Sequence, residues 1–138
     1  WTHLANASND LLDTNTLIYY IKGLEPVVRP LQSTSPRDLR IPSLVAYELE
    51  YGSLKTPSVR RRTATASLLA SIPQIPFDST AASEAVRIRL FLEGRGLMIG
   101  PVDILIAGTA MSRSAELVTS NTSEFSRIKG LRLQDWTK

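Results

Sequence analysis

The stretch Leu11–Gly23 reads LLDTNTLIYYIKG. It begins with two leucines, and a helical pattern starts two residues after them. The two leucines predict a strand that ends at Asp13, and the polar residues from Thr14 onward are typical of a helix start. Gly23 predicts the helix stop. A strand followed directly by a helix is the repeating unit of α/β folds.

The same alternation recurs along the rest of the chain. Further strands are predicted at Leu39–Ile41, Gln74–Phe77, Leu117–Thr119 and Leu131–Leu133. Further helices are predicted at Leu44–Lys55 with Ser43 as cap, from Thr56-Pro57 to Pro73, at Ser79–Glu93 with Asp78 as cap, and from Gly100-Pro101 to Ala110. The proline-rich segment Glu25–Arg37 predicts a loop or a short broken helix. The pattern favours a doubly wound α/β domain with a central parallel sheet of four to five strands flanked by helices.

The chain has 138 residues, of which 43% are hydrophobic, and this length predicts one domain. We place that domain at residues 11–138, after a polar lead-in at residues 1–10. Whether the lead-in is native or comes partly from an expression vector stays open. No apolar run reaches the ~18 residues of a membrane span, so we expect a cytoplasmic protein without membrane contact.

Composition excludes most kinds of active site. The chain has no cysteine, which excludes disulfides, cysteine-bound metals and thiol nucleophiles. Its one histidine, His3, lies close to the terminus, which removes histidine triads and multi-histidine zinc sites. The formal net charge of +3 permits a polyanionic partner but does not require one. Carboxylate chemistry is what remains.

Three acidic residues occupy positions where a charge has to be explained. Asp13 follows the first strand, at the sheet edge where α/β proteins bind ligands, although a helix cap explains it equally simply. Glu48 shares a predicted inward stripe with Val45 and Tyr51 and is either a ligand or a boundary residue whose charged end reaches water. Asp103 starts an apolar helix, where the helix dipole alone would favour it.

A fourth position follows the strand at Leu117–Thr119. Asn121 lies where a side chain can project into the same crevice as Asp13, and Glu124 comes one helical turn later. A turn cap with a solvated glutamate explains both residues without a function. If folding gathers these groups, the clustered carboxylates require a cation, and oxygen ligands favour Mg²⁺. Metal-assisted hydrolysis of a phosphodiester is then possible without histidine or cysteine.

Four segments in this order and spacing resemble the PIN-domain family: LLDTNTLIYYIKG, IPSLVAYELEYG, IGPVDILIAGTA and LVTSNTSEFSRIKGLRLQDW. Within it they look most like the VapC toxins of VapBC toxin–antitoxin pairs, particularly those similar to initiator-tRNA-specific endonucleases. The resemblance implies a PIN-like fold, a ribonuclease dependent on Mg²⁺ or Mn²⁺, RNA as substrate with tRNA as one candidate, a VapB-like antitoxin as partner, and a homodimer.

The resemblance also implies roles for individual residues. Asp13, Glu48 and Asp103 match the family's catalytic and metal-binding acids, with Glu48 acting directly or through water, and Glu124 lies near the metal. Asn121 stands where many PIN domains carry a fourth acid. Thr14 and Ser120 lie beside these residues and could hold a carboxylate or a water.

The arginines Arg60, Arg61 and Arg62 are either a solvated helix face or contacts to RNA phosphates. Two other functions stay open. The first is a PIN-like scaffold that has lost catalysis and serves as a binding or dimerisation module, which the asparagine at position 121 supports. The second is a phosphoacceptor signalling domain, which lacks support because no lysine occurs between Lys55 and Lys129.

Overall fold

A computed structural model describes residues 9–138, and residues 1–8, including His3, lie outside the described part. Five short strands form one sheet: β1 (Asp10–Leu12), β2 (Leu39–Pro42), β3 (Gln74–Ile75), β4 (Glu116–Val118) and β5 (Leu133–Gln134). Their order is β3-β2-β1-β4-β5, and every neighbouring pair is parallel. The predicted α/β fold with a central parallel sheet is confirmed.

Seven α-helices flank this sheet within residues 9–138. They are α1 (Thr14–Ile21), α2 (Glu25–Ser33), α3 (Ser43–Lys55), α4 (Val59–Ser71), α5 (Ser79–Arg95), α6 (Pro101–Ser112) and α7 (Thr122–Phe125). A 3₁₀ turn at Pro36–Asp38 precedes β2. In the part of the chain that the structure describes, no helix is both long enough and apolar enough to cross a bilayer.

Local sequence signals account for several helix ends. The Asp78 carboxylate accepts a hydrogen bond from the Ala81 N–H at 2.9 Å, which confirms the predicted cap of α5. Gly96 ends α5 in the left-handed conformation with φ 66°, a backbone geometry that glycine adopts without steric cost. Gly23 ends the turn after α1 with φ 82° in the same way.

Three predicted boundaries are wrong. Ser43 is not the cap of α3, because its hydroxyl donates to the Ile75 carbonyl at 3.1 Å and so ties the helix to β3. Helix α4 begins at Val59 rather than at Thr56-Pro57, because the Ser58 hydroxyl accepts from the Arg61 N–H and starts the helix there. The last strand, β5, lies at Leu133–Gln134, where its register pairs it with β4.

Most of the proline-rich segment Glu25–Arg37 is helical. Pro26 lies in the first turn of α2, where a proline costs no helical hydrogen bond, and the helix continues through Pro30. Val27 and Leu31 on one face of α2 are buried and supply the packing that stabilises this short helix. The prediction of a short broken helix therefore holds in part.

The side of the sheet on which the chain adds its strands changes once. After β1 the chain adds β2 and β3 on one side and then returns to add β4 and β5 on the other. The crevice between the carboxyl ends of β1 and β4 is therefore the topological switch point, where ligands bind in open α/β sheets. Leu11, Leu12 and Leu117 on the two central strands are fully buried, so this crevice stands on a rigid core.

Candidate active site

Asp13 lies at the switch point, directly after β1. Its N–H donates to the Val118 carbonyl at 3.0 Å, which extends the pairing of β1 with β4 by one residue. Its Oδ1 accepts from the Thr14 N–H at 2.7 Å, and its Oδ2 accepts from the Thr119 hydroxyl at 2.7 Å. The side chain is only 4% exposed. Asp13 is therefore both the cap of α1 and a buried carboxylate that faces the crevice.

The electrostatic setting of Asp13 is mixed. Burial raises the pKa of Asp13, because a charged carboxylate loses hydration inside the protein. The hydrogen bonds from Thr119 and from the Thr14 N–H oppose that rise in pKa, and the charge of Glu48 adds to it. Glu48, although it lies on a different element, is thus within electrostatic range of Asp13.

Glu48 is half-buried on α3, whereas Glu50 faces water, as predicted. Its Oε1 accepts a hydrogen bond of 2.5 Å from the Thr14 hydroxyl. Thr14 therefore contacts both acids, Asp13 through its N–H and Glu48 through its hydroxyl. The prediction that Tyr51 shares the inward stripe of Glu48 is wrong, because Tyr51 is 58% exposed and its ring packs under the ammonium of Lys55.

Asp103 lies in the first turn of α6, whose following residues are mostly buried, as predicted. The pKa of Asp103 is raised to about 6 by burial first and then by the charges of Asp13, Glu124 and Glu48. Asp103 therefore lies close enough to these three carboxylates for their charges to act on it. The structure therefore brings together the four acids that the sequence singled out.

A glycine gives the Asp103 carboxylate its room. The backbone of Gly100 has φ −58° and ψ 147°, which any residue can adopt. A Cβ added there would lie 3.3 Å from Asp103 Oδ2, which is closer than an ordinary contact. A side chain at position 100 would therefore have to displace the carboxylate by a few tenths of an ångström, although the backbone there would accept it.

Asn121 connects the end of β4 to Glu124. Its Nδ2 donates to Glu124 Oε2 at 3.0 Å, and its N–H donates to the Thr119 hydroxyl at 3.0 Å. Asn121 precedes α7 without a side-chain cap bond, so the predicted turn cap is not what this side chain does. Ser120 is half-buried between Thr119 and Asn121.

Thr119 is the site residue that sequence reasoning missed. The pattern predicts it only as the last residue of a strand, but it is fully buried just after β4 and donates to Asp13. A hydroxyl residue at the carboxyl end of the strand beside β1 was the available signal, since such residues project into the crevice. Its hydroxyl links the Asp13 side of the crevice to the Asn121 side.

The four acids lie within electrostatic range of one another without forming a closed ligand cage. Within residues 9–138, no three acidic or histidine side chains already stand at the mutual spacing of metal ligands. The carboxylates nevertheless interact, since three of them raise the pKa of Asp103. An all-oxygen donor set of this kind fits a hard divalent cation that keeps several waters and binds only one or two carboxylates directly.

The three arginines lie in the first turn of α4. Arg60 donates to the Ile21 carbonyl at 3.4 Å, and Arg62 donates to the Thr56 carbonyl at 2.5 Å. The side chain of Arg61 lines a cavity that Glu48 also lines. Arg61 therefore differs from Arg60 and Arg62, because it lines this cavity and they bond to backbone carbonyls.

Comparison with known proteins identifies the family. The PIN domain model matches residues 11–131. The chain is 37% identical over 128 residues to the tRNA(fMet)-specific endonuclease VapC of Shigella flexneri, covering 92% of this chain and 97% of that protein. It is 34% identical over 131 residues to ribonuclease VapC2 of Rickettsia felis, covering 93% and 98%.

Solved structures agree with the sequence matches. The DNA-bound VapBC from Salmonella typhimurium superposes with a TM-score of 0.86 at 34% identity, over 94% of this chain and 98% of that one. VapBC2 from Rickettsia felis, bound to a DNA fragment from its promoter, gives a TM-score of 0.84 at 32% identity, over 92% and 98%. The sequence matches and the fold agree, and the chain belongs to the PIN-domain family, in its VapC group.

Proposed function

We propose that this chain is the endoribonuclease toxin of a type II toxin–antitoxin pair and hydrolyses RNA phosphodiester bonds with a divalent cation, Mg²⁺ or Mn²⁺. The observation that carries the proposal is the gathering of four carboxylates from separate elements at the switch point, where three of them raise the pKa of Asp103. Like charges gathered there cost stability unless a cation offsets them. Relatives named as ribonucleases support the choice of RNA.

Asp13, Asp103 and Glu48 are the residues that would hold the cation, with Glu124 nearby. A bound divalent ion supplies two things, a water of lowered pKa and neutralisation of the charge that grows on the phosphate. Mg²⁺ suits this site because it binds few carboxylates directly and retains waters, and Mn²⁺ accepts the same oxygen ligands.

The remaining residues keep the acids in place. Thr14 and Thr119 donate hydrogen bonds to Glu48 and Asp13, which fixes the direction of each carboxylate. Asn121 does the same for Glu124 through its amide. Such supporting donors orient the groups that contact the ion and tune their affinity for it. On this proposal the asparagine at the position of a fourth acid acts through Glu124.

The partners follow from the relatives. The solved neighbours are VapBC complexes, so we propose a VapB-like antitoxin as the partner of this chain. The name of the Shigella flexneri relative makes tRNA the first RNA to test. We also propose a homodimer, because Val86 and Leu90 are exposed apolar residues one turn apart on α5, at 58% and 64% exposure.

The test is RNA cleavage by the purified chain. Total RNA is incubated with the protein in Mg²⁺ or in EDTA, and new RNA ends are mapped. We expect discrete cuts in Mg²⁺ that disappear in EDTA and in the Asp13→Asn variant. Equal cutting by that variant would show that the assigned acids do not catalyse the reaction. No cutting by the parent, together with no metal-linked change in its melting temperature, would favour the inactive scaffold.

A further inference from the structure

A second feature lies beside the acid cluster, by which we mean Asp13, Glu48, Asp103 and Glu124. A cavity of about 210 Å³ opens between α1, α3 and α4, and Glu48 is part of its wall. Two cationic residues, Lys22 and Arg61, line the same cavity, and Ile18 and Leu49 form apolar parts of its surface. Glu48 therefore lies in the wall of this cavity as well as among the four acids.

The two cations are not used to hold the fold together. Within residues 9–138, neither the Lys22 ammonium nor the Arg61 guanidinium takes part in an ion pair or a side-chain hydrogen bond. Glu48 has no ion pair in the same part of the chain, and its Oε1 is engaged by Thr14. The cations therefore share a cavity with an acid without neutralising it.

The position of Arg61 is also unfavourable for the helix that carries it. Arg60, Arg61 and Arg62 lie in the first turn of α4, which contains no acidic residue. A helix N-terminus is the positive end of the helix dipole and favours negative charge, so cations there repel it. Arg60 and Arg62 each offset this cost with a bond to a backbone carbonyl, and the Arg61 guanidinium does not. An anion in the cavity would offset it.

We propose that Lys22 and Arg61 bind a phosphate of the RNA chain next to the phosphate that is cut. The inference rests on the proposed ribonuclease function, since it takes the bond under attack to lie at the acid cluster. Ile18 and Leu49 then pack against the sugar that joins the two phosphates. The cavity thereby holds the neighbouring phosphate on the side of Glu48 where the end of α1 meets the start of α4. Backbone phosphate contacts position a nucleic acid without reading its sequence.

The test measures RNA affinity as a function of salt. A fluorescently labelled tRNA is titrated with the parent, with Arg61→Gln, with Lys22→Gln and with the double variant, in Ca²⁺ and at several salt concentrations. Arg87→Gln serves as the matched control, because Arg87 is an exposed arginine on α5. Melting temperatures confirm that each variant is folded.

We expect the double variant to bind RNA about 10-fold more weakly and its salt slope to fall by about 1, because the phosphate that the two cations hold is then no longer neutralised. In cleavage with Mg²⁺, KM should rise while kcat changes little, because the acids are intact. Arg87→Gln should match the parent in affinity and slope.

The outcomes separate this inference from the function on which it rests. A parent that neither binds nor cuts RNA overturns both. A parent that cuts RNA, with a double variant of unchanged affinity and salt slope, overturns the phosphate site alone. A double variant that keeps RNA affinity but loses affinity for an acidic antitoxin peptide also overturns it, since the cavity then takes a protein segment.

Discussion

The Thr119 hydroxyl donates a 2.7 Å hydrogen bond to Asp13 Oδ2 and so joins the ends of β1 and β4. The same hydroxyl accepts from the N–H of Asn121, whose amide holds Glu124. One buried side chain thus connects an acid on each side of the switch point. The position of the acids depends on hydrogen bonds within the crevice as well as on the strands beneath it.

Thr119→Val should lower the free energy of unfolding by about 1–3 kcal/mol, because the near-isosteric valine leaves a buried carboxylate oxygen without its donor. Cleavage should fall with it, since Asp13 is then free to turn. Thr119→Ser keeps the hydroxyl and should retain most of both. Urea denaturation measures the stability change. A valine variant as stable and as active as the parent would show that this bond does not position Asp13.

The acid cluster should make stability depend on pH. Asp103 has a pKa of about 6 in the folded chain, against an ordinary value of 3.8. Between pH 3.8 and pH 6 the folded state therefore binds more protons than the unfolded state does. The free energy of unfolding therefore falls as pH rises from about 4 to 6 and stays lower above it. The free energy of unfolding should fall by about 1–2 kcal/mol. This is less than the ~3 kcal/mol that corresponds to the full pKa shift, because Asp103 is only half-buried and water screens its charge.

Melting temperatures at pH 5 and pH 7.5 in EDTA test this dependence. Asp103→Asn should be more stable than the parent at pH 7.5 and should show a flatter pH profile. Mg²⁺ should stabilise the parent more at pH 7.5 than at pH 5, since a cation binds the ionised carboxylates. A parent whose stability rises steadily from pH 5 to 7.5 in EDTA would contradict the assigned repulsion.

Gly100→Ala should affect activity more than stability. The added methyl would press on Asp103 Oδ2 at 3.3 Å while the backbone stays in an allowed conformation. Cleavage should fall about 10-fold, because small displacements of a reacting group are costly. The control is Gly94→Ala on α5, where a Cβ meets nothing within 4 Å. It should keep full activity, and equal activity of the two variants would refute the spatial role of Gly100.

Thr14→Val should release Glu48. The valine loses the hydroxyl that donates to Glu48 Oε1 but keeps the N–H that caps α1 through Asp13. We expect a several-fold weaker apparent affinity for Mg²⁺ in the cleavage reaction and a melting temperature close to that of the parent. Thr14→Ser should restore the Mg²⁺ dependence. If valine and serine behave alike, the hydroxyl has no part in holding Glu48.

The sequence predicted those features that local chemistry decides. Asp13 follows an apolar pair and precedes a helical pattern, so strand, cap and helix were all readable from adjacent residues. The pattern also separated Glu48 from Glu50 by helix periodicity. Each of these patterns spans only a few residues, and the tertiary contacts of the folded chain support the same local structure.

Features that depend on distant partners were not predictable in the same way. Ser43 looked like a cap, but the Ile75 carbonyl, more than thirty residues away along the chain, takes its hydroxyl. Thr119 looked like an ordinary strand residue until β4 was placed next to β1. The sheet order decides both contacts, and no local pattern specifies which strands become neighbours.

The central claim is that Asp13, Glu48 and Asp103, with Glu124 nearby, form a divalent cation site, and direct Mn²⁺ binding tests it without RNA. The electron paramagnetic resonance signal of free Mn²⁺ is followed while parent protein or the Asp13→Asn, Asp103→Asn double variant is added. We predict saturable loss of the free signal with the parent, competition by Mg²⁺, and no such loss with the double variant. Equal Mn²⁺ binding by the two proteins, or none by the parent at neutral pH, would contradict the account.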